Sequence, residues 1–171
     1  MLKLDLLRLG RSGTATIEVE VPAEAPLWVG SGLDLRAPVR VRLQATAVGG
    51  GNVYVTGAAR TTLGFQCRRC LEGVLVRLEE PVSMLFERVD ESARDTGSAD
   101  VYSLEARQTE LDLAEPIREQ LILAAPTYVV CREECRGLCP GCGVNLNTEA
   151  CVCAGEEPDP RWEVLRTLKQ E

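Results

Sequence analysis

Eight cysteines constrain this chain more than any other feature. They stand as Cys67-Arg68-Arg69-Cys70, then Cys131, Cys135, Cys139 and Cys142, then Cys151 and Cys153. The 171 residues contain no histidine, which excludes a Ser-His-Asp triad, a Cys-His nucleophile, an imidazole acid or base and every histidine-ligated metal site. From Cys131 to Cys153 the cysteines punctuate a glycine-bearing stretch without hydrophobic periodicity, too poor in apolar residues to fold by burial alone. That stretch needs another source of cohesion.

Compartment decides what the sulfur does. The opening Met1-Leu2-Lys3-Leu4-Asp5-Leu6-Leu7-Arg8 is broken by charges before an apolar core of a secretory signal develops, and no run approaches a membrane-spanning length. The chain is therefore expected to be cytoplasmic, where clustered cysteines serve as metal ligands more readily than as disulfides. Eight thiolates make two tetrahedral four-sulfur sites, the coordination of structural zinc. Cys139-Pro140-Gly141-Cys142-Gly143 has the form of a metal knuckle, and the nearest remaining pair, Cys151 and Cys153, completes its site. Cys67 and Cys70 then join Cys131 and Cys135, fastening the tail to the core. Two zinc ions in closed sites imply a structural role. The competing reading makes Cys67 and Cys70 a redox dithiol, but that motif belongs at a helix N-terminus and the neighbours here read as strands.

The length fits one core with a small appendage, divided as a sheet-plus-helix domain over 1–130 and a zinc-binding tail with a C-terminal helix over 131–171. Val39, Val41, Leu43, Ala45 and Ala47 alternate with Arg40, Arg42, Gln44 and Thr46, the period of a half-buried antiparallel strand. Gly49-Gly50-Gly51-Asn52 turns the chain into a second strand with Val53, Val55, Gly57 and Ala59 inward and Tyr54, Thr56, Ala58 and Arg60 outward. Thr14 to Val21 is another strand, and residues 74–78 and 82–86 read as two more, interrupted by Pro81 at a sheet edge or bulge. Polar, aperiodic residues 90–100 form a loop, followed by a short extended piece at Val101-Tyr102. Asp112 caps one helix with Glu115 and Pro116 in its first turn; Leu113, Ile117, Leu121 and Ala124 form its packing stripe and Pro126 closes it. Asp159-Pro160 starts a last helix bearing Trp162, Leu165 and Leu168, a stripe that packs on the protein itself in preference to a partner. The expected fold class is α+β: a mainly antiparallel sheet or partly open barrel with one packed helix, the cysteine-rich tail and the terminal helix.

The formal charge is −7, yet Arg36, Arg40, Arg42, Arg60, Arg68, Arg69 and Arg77 share the stretch from 36 to 77 with Glu72 alone as acid. Arg68 and Arg69, with Arg132 and Arg136, compensate thiolate charge in the plainer reading. In the sharper one, Arg68 and Arg69 join Arg40, Arg42, Arg60 and Arg77 in a phosphate-binding face that also carries Tyr54. One aromatic is too few for a base-stacking platform, and an acidic total disfavours tight non-specific RNA binding. The acidic pairs Glu79-Glu80, Glu133-Glu134 and Glu156-Glu157 read as solvated charge rather than acid/base couples.

The pair Cys67-Arg68-Arg69-Cys70-Leu71, the acidic loop, Leu111-Asp112-Leu113, the helix exit at Leu121 to Pro126 and the run from Cys135-Arg136-Gly137-Leu138-Cys139 through Val144-Asn145-Leu146-Asn147 together resemble the YceD family. These are the large ribosomal RNA subunit accumulation proteins of bacteria and plastids. The resemblance implies a non-enzymatic role in the processing, stability or accumulation of 23S ribosomal RNA. Its implied partners are precursor large-subunit RNA or ribosomal assembly intermediates. It also implies that the Cys67 and Cys70 pair is general in the family while the set of Cys139, Cys142, Cys151 and Cys153 is not. The alternative is an adaptor that holds a basic ribosomal protein or assembly enzyme without touching RNA.

Overall fold

The computed structural model describes residues 2–89, 101–105 and 107–153. The loop expected over 90–100, the helix expected from Asp159-Pro160 and the pair Glu156-Glu157 lie outside the described residues. The chain divides into two compact units, Met1–Phe65 with Gly73–Tyr128, and Gln66–Glu72 with Val129 onward.

In the first unit β1 (Lys3–Asp5) leads into α1 (Leu6–Ser12), and a five-stranded sheet follows in the order β2 (Thr14–Val21), β3 (Val39–Val48), β4 (Asn52–Gln66), β5 (Gly73–Val89), β6 (Val101–Glu105). β7 (Glu110–Asp112) pairs antiparallel with β1 as a separate ribbon and leads to α2 (Ala114–Ala124). The alternation read from the sequence is realised on β3, where Val39, Val41, Leu43 and Ala45 are buried and Arg40, Arg42 and Gln44 exposed. β2 with β3 and β3 with β4 are antiparallel, and the Gly49–Gly51 turn closes the hairpin so that Val48 faces Asn52.

The sheet is open, with β2 and β6 at its edges, so of the two expected forms it takes the sheet and not the barrel among the described residues. Three other expectations are corrected. The pieces expected at 74–78 and 82–86 are one strand, β5. Pro81 cannot donate to a ladder, but β6 pairs only with Leu85 to Val89, leaving β5 at Pro81 without that neighbour. An edge accepts a proline without ending the strand. Val101-Tyr102 begins β6, which runs parallel to β5 and makes the sheet mixed. Finally, two helices are described rather than one: α1 is capped by Asp5, whose carboxylate accepts from the Arg8 amide at 2.9 Å, and ends at Gly13 in a left-handed conformation.

α2 buries its expected stripe, but its N-cap is Leu113, without a side-chain cap bond, and Asp112 stands one residue earlier than the pattern placed the cap. The Asp112 carboxylate accepts from the Ala114 amide at 2.8 Å, and Leu113, Ile117 and Leu121 are fully buried in a core shared with Leu9, Val39, Leu43, Val55, Met84, Phe86 and Leu104. Every buried member of that cluster belongs to the first unit. The second unit has no such cluster: its buried described residues are Val129, Gly137 and four cysteines, Cys67, Cys70, Cys135 and Cys139.

Candidate metal centre

The second unit is built from two backbone knuckles of the same design. In the first, Cys67 N–H donates to the Glu72 carbonyl at 2.8 Å and Leu71 N–H to the Cys67 carbonyl at 2.9 Å. In the second, Cys139 N–H donates to the Val144 carbonyl and Gly143 N–H to the Cys139 carbonyl, both at 2.8 Å. Each turn reverses through a residue of positive φ just after its second cysteine, Leu71 at 62° and Gly143 at 75°. Glycine adopts that conformation freely and leucine does not. Leu71→Gly is therefore expected to stabilise the first knuckle by about 1 kcal/mol, measured as slower metal release to a chelator. Release unchanged or faster would show that the Leu71 side chain contributes more than its strain costs.

The eight cysteines gather as two groups of four, Cys67, Cys70, Cys131 and Cys135, and Cys139, Cys142, Cys151 and Cys153, with the sulfurs of each group within 4.8 Å of one another. In the first, Cys67 Sγ lies 3.8 Å from Cys135 Sγ and Cys70 Sγ 3.7 Å from Cys131 Sγ. Four sulfurs bound tetrahedrally at about 2.3 Å stand about 3.8 Å apart, so this spacing suits a single ion at the centre. In the second, Cys151 Sγ lies 3.2 Å from Cys139 Sγ and 3.7 Å from Cys142 Sγ. All eight thiols are free, so no disulfide competes for them.

Amides surround the sulfurs as donors. Cys67 Sγ accepts from the Arg69 and Cys131 amides at 3.5 and 3.3 Å, and Cys151 Sγ from the Cys153 amide at 3.3 Å. Burial pushes the Cys67 thiol up, but the amides of Cys70, Arg69 and Cys131 outweigh it and lower the thiol to about 6. The Cys142 amide, the Cys151 thiol and the Gly141 amide likewise lower Cys139 to about 6. At the other extreme, burial and the neighbouring thiols of Cys135, Cys70 and Cys67 raise Cys131 to about 12, and the thiols of Cys142 and Cys151 with burial raise Cys153 to about 12. Within the first group Cys67 and Cys135 are pulled down while Cys70 and Cys131 are pushed up, as expected of thiols crowded together. Four thiolates together require a cation, and the donor set fits one.

Two ligand-supporting residues escaped the sequence reading. Asn147 Nδ2 donates to Cys135 Sγ at 3.4 Å and to Asn145 Oδ1 at 2.8 Å, and its own Oδ1 accepts from the Arg136 amide at 2.9 Å. Asn145 Nδ2 reaches the Glu72 carboxylate at 3.3 Å. The spacing of two asparagines with one residue between signals a local turn, and Asn145 Oδ1 does accept from the Asn147 amide at 3.0 Å. Nothing in that spacing points to sulfur.

The arginines expected to form one basic face are distributed between the units. Arg68 and Arg69 belong to the first knuckle, where Arg69 NH1 donates to the carbonyls of Glu133 and Cys135 at 2.9 and 3.1 Å. Arg40, Arg42, Arg60 and Arg77 line an open trough in the first unit. The β2–β3 register sets Glu20 opposite Arg40 and Glu18 opposite Arg42, giving ion pairs of 2.9 and 2.6 Å, while Arg60 pairs with Glu79 at 2.7 Å. Tyr54 is exposed, and its hydroxyl is 3.0 Å from that of Ser83. The trough is a ladder of alternating charge, cross-linked by carboxylates that lie outside the arginine-rich stretch of sequence.

The profile of a family described as "Large ribosomal RNA subunit accumulation protein YceD" matches residues 55–169, a span that takes in all eight cysteines. An uncharacterized protein of Mycobacterium tuberculosis is 34% identical over 167 residues, 96% of this chain and 79% of that protein. One from Mycobacterium leprae is 28% identical over 171 residues, 96% of this chain and 76% of its own length. The chloroplastic large ribosomal RNA subunit accumulation protein YCED homolog 1 of Zea mays is 29% identical over 150 residues, 72% of this chain and 51% of the plant protein. No solved structure matches the chain.

Proposed function

This chain belongs to the YceD family, and we propose that it is a non-catalytic ribosome biogenesis factor supporting the processing, stability or accumulation of 23S ribosomal RNA in the large subunit, acting in the cytoplasm. The observation that carries this reading is the family match across both cysteine groups, together with plant relatives named for large-subunit RNA accumulation. Two zinc ions complete the protein, one on Cys67, Cys70, Cys131 and Cys135 and the other on Cys139, Cys142, Cys151 and Cys153. Zinc supplies charge neutralisation and tetrahedral cross-linking there, with no redox step. Among the described residues no helix is long and apolar enough to cross a membrane.

RNA docks, in this reading, on the trough of Arg40, Arg42, Arg60 and Arg77, with Tyr54 on the same strand face as Arg60; Arg68 and Arg69, in the second unit, are phosphate contacts of their own. The ion pairs do not forbid it. Arg40 and Arg42 each engage their glutamate through Nε, and their side chains stay 75% and 81% exposed, leaving further N–H donors for a phosphate. The carboxylates do lower the attraction for a polyanion, which suits shape-guided docking better than tight non-specific binding. About four phosphate contacts predict an affinity for precursor 23S RNA that falls as salt raised to a power of roughly three to four. Reversing Arg40 and Arg42 to Glu abolishes that binding.

A second reading has its own observation: Glu18, Glu20 and Glu79 line the same trough. They would hold a basic ribosomal protein or an assembly enzyme with a basic tail, without RNA contact. The two readings differ in sign. The double variant Glu18→Gln/Glu20→Gln is expected to tighten binding to precursor RNA by several-fold, because it unmasks two arginines. If it leaves RNA affinity unchanged and weakens capture of a basic ribosomal protein, the adaptor reading replaces the RNA one.

A further inference from the structure

Residues 143–150 lie between two ligands of the second cysteine group, Cys142 and Cys151, yet they carry the side chains that reach the first group. We infer that Asn147, braced by Asn145, is a positioning residue for the first metal site, and that the second site works by holding this loop in place, so that the two ions bind cooperatively. The inference rests on the reading that both cysteine groups hold metal.

The geometry runs in one continuous chain of contacts. Asn147 Nδ2 donates to Cys135 Sγ at 3.4 Å, the one side-chain amide on a sulfur of either group among the described hydrogen bonds. Its amide plane is set from two sides, by Asn145 Oδ1 accepting at 2.8 Å and by the Arg136 N–H donating to Asn147 Oδ1 at 2.9 Å. Asn145 is held by its own backbone, whose carbonyl accepts from Thr148 and Glu149 at 3.1 and 3.0 Å, and by its side chain on Glu72, at 3.3 Å. Glu72 closes the first knuckle through its carbonyl and donates its amide to Cys70 sulfur. Leu146 N–H donates to the Gly137 carbonyl at 2.9 Å, and the Leu138 N–H donates to Arg69 at 3.0 Å, tying the same loop to the strip that carries both Cys135 and Cys139.

These bonds are individually modest. A loop of this length with one end loose has to be ordered at the cost of its own entropy before Asn147 can reach Cys135. An ion on Cys139, Cys142, Cys151 and Cys153 ties both ends and removes that cost in advance. Groups that hydrogen-bond to ligands alter metal affinity by about 10–100-fold, and coupling of this kind is reciprocal.

The test is a double-mutant cycle on the full-length protein, using zinc alone in competition with a chromophoric chelator, with cobalt(II) absorption reporting four-sulfur coordination. The variants are Asn147→Ala, the site-two knockout Cys142→Ser/Cys151→Ser, and their combination. Asn147→Ala is expected to weaken the first site about 10-fold or more, the knockout to weaken it by at least as much, and the combination to be no weaker than the knockout by itself. Far-UV circular dichroism verifies the sheet, and Asn147→Asp, which retains the acceptor on Arg136 but loses the donor to Cys135, separates the donor from simple loop damage by weakening the first site as Ala does. Effects that multiply independently, or a first site indifferent to Asn147→Ala, overturn the coupling. Failure of the wild-type protein to bind zinc or cobalt at all would instead remove the metal reading beneath it.

Discussion

Stripping the two proposed ions from the full chain with a chelator is expected to unfold residues 129–153 and leave the sheet of the first unit intact. The reason is where burial occurs. The apolar cluster around Val39, Leu43, Val55, Phe86, Leu113, Ile117 and Leu121 is complete within the first unit, whereas burial in the second rests on Val129, Gly137 and cysteines. A segment with so little apolar burial cannot offset its own chain entropy, and a structural four-cysteine zinc contributes on the order of 10–16 kcal/mol of apparent binding free energy at neutral pH. Hydrogen exchange reads the outcome residue by residue. The amides of Cys139, Gly143 and Leu146, which donate at 2.8, 2.8 and 2.9 Å, should lose protection by at least about a thousandfold, while those of β3 keep theirs. Cys135→Ser should reproduce the loss around the first site without a chelator. If the tail amides stay protected after both ions are gone, metal is not what holds the second unit together.

The largest single-residue effect in the first unit is expected at Gly57. It pairs with Leu43 at a point where β3 and β4 approach so closely that a Cβ would lie 2.1 Å from the Arg42 carbonyl oxygen and 2.8 Å from Leu43 Cα. Both obstacles are backbone, and φ is 153°, so neither a rotamer change nor a small side-chain shift relieves the clash. Gly57→Val should cost about 3–5 kcal/mol and lower the melting temperature of the first unit by roughly 12–20 °C, measured by calorimetry. Gly10→Ala is the contrast. Gly10 lies within α1, a Cβ there meets nothing within 4 Å, and the change should stabilise by about 0.5–1 kcal/mol. Equal effects of the two substitutions would mean that the β3–β4 approach is looser than its register indicates.

Much of this architecture was legible because it obeys local periods. The alternation from Val39 to Ala45 and the stripe of Leu113, Ile117 and Leu121 appear as written, as does the chemical grouping of the cysteines into two fours, while Thr46 and Ala47 are both half-buried. α1 was missed although its signs are present: Asp5 as cap, Leu6 and Leu9 one turn apart, Gly13 as terminator. Seven residues give too short a period to stand out beside the charges. The parallel seat of β6 was not legible at all, since strand direction is set by which neighbour the chain returns to.

Spacing and apolar rhythm along the chain were enough to say that the cysteines divide into two groups of four and that a half-buried sheet forms, while the family came from the resemblance of particular residues such as Cys67-Arg68-Arg69-Cys70. Tertiary structure alone decided that Glu18 and Glu20 sit beside Arg42 and Arg40, turning an apparent basic island into a paired ladder, and that Asn147 reaches Cys135. The physical reason is the range of the interactions. Periodicity and ligand spacing act over a few residues and leave a linear record, whereas ion pairs across strands and amide–sulfur bonds depend on register and loop closure, which exist only once distant segments have met.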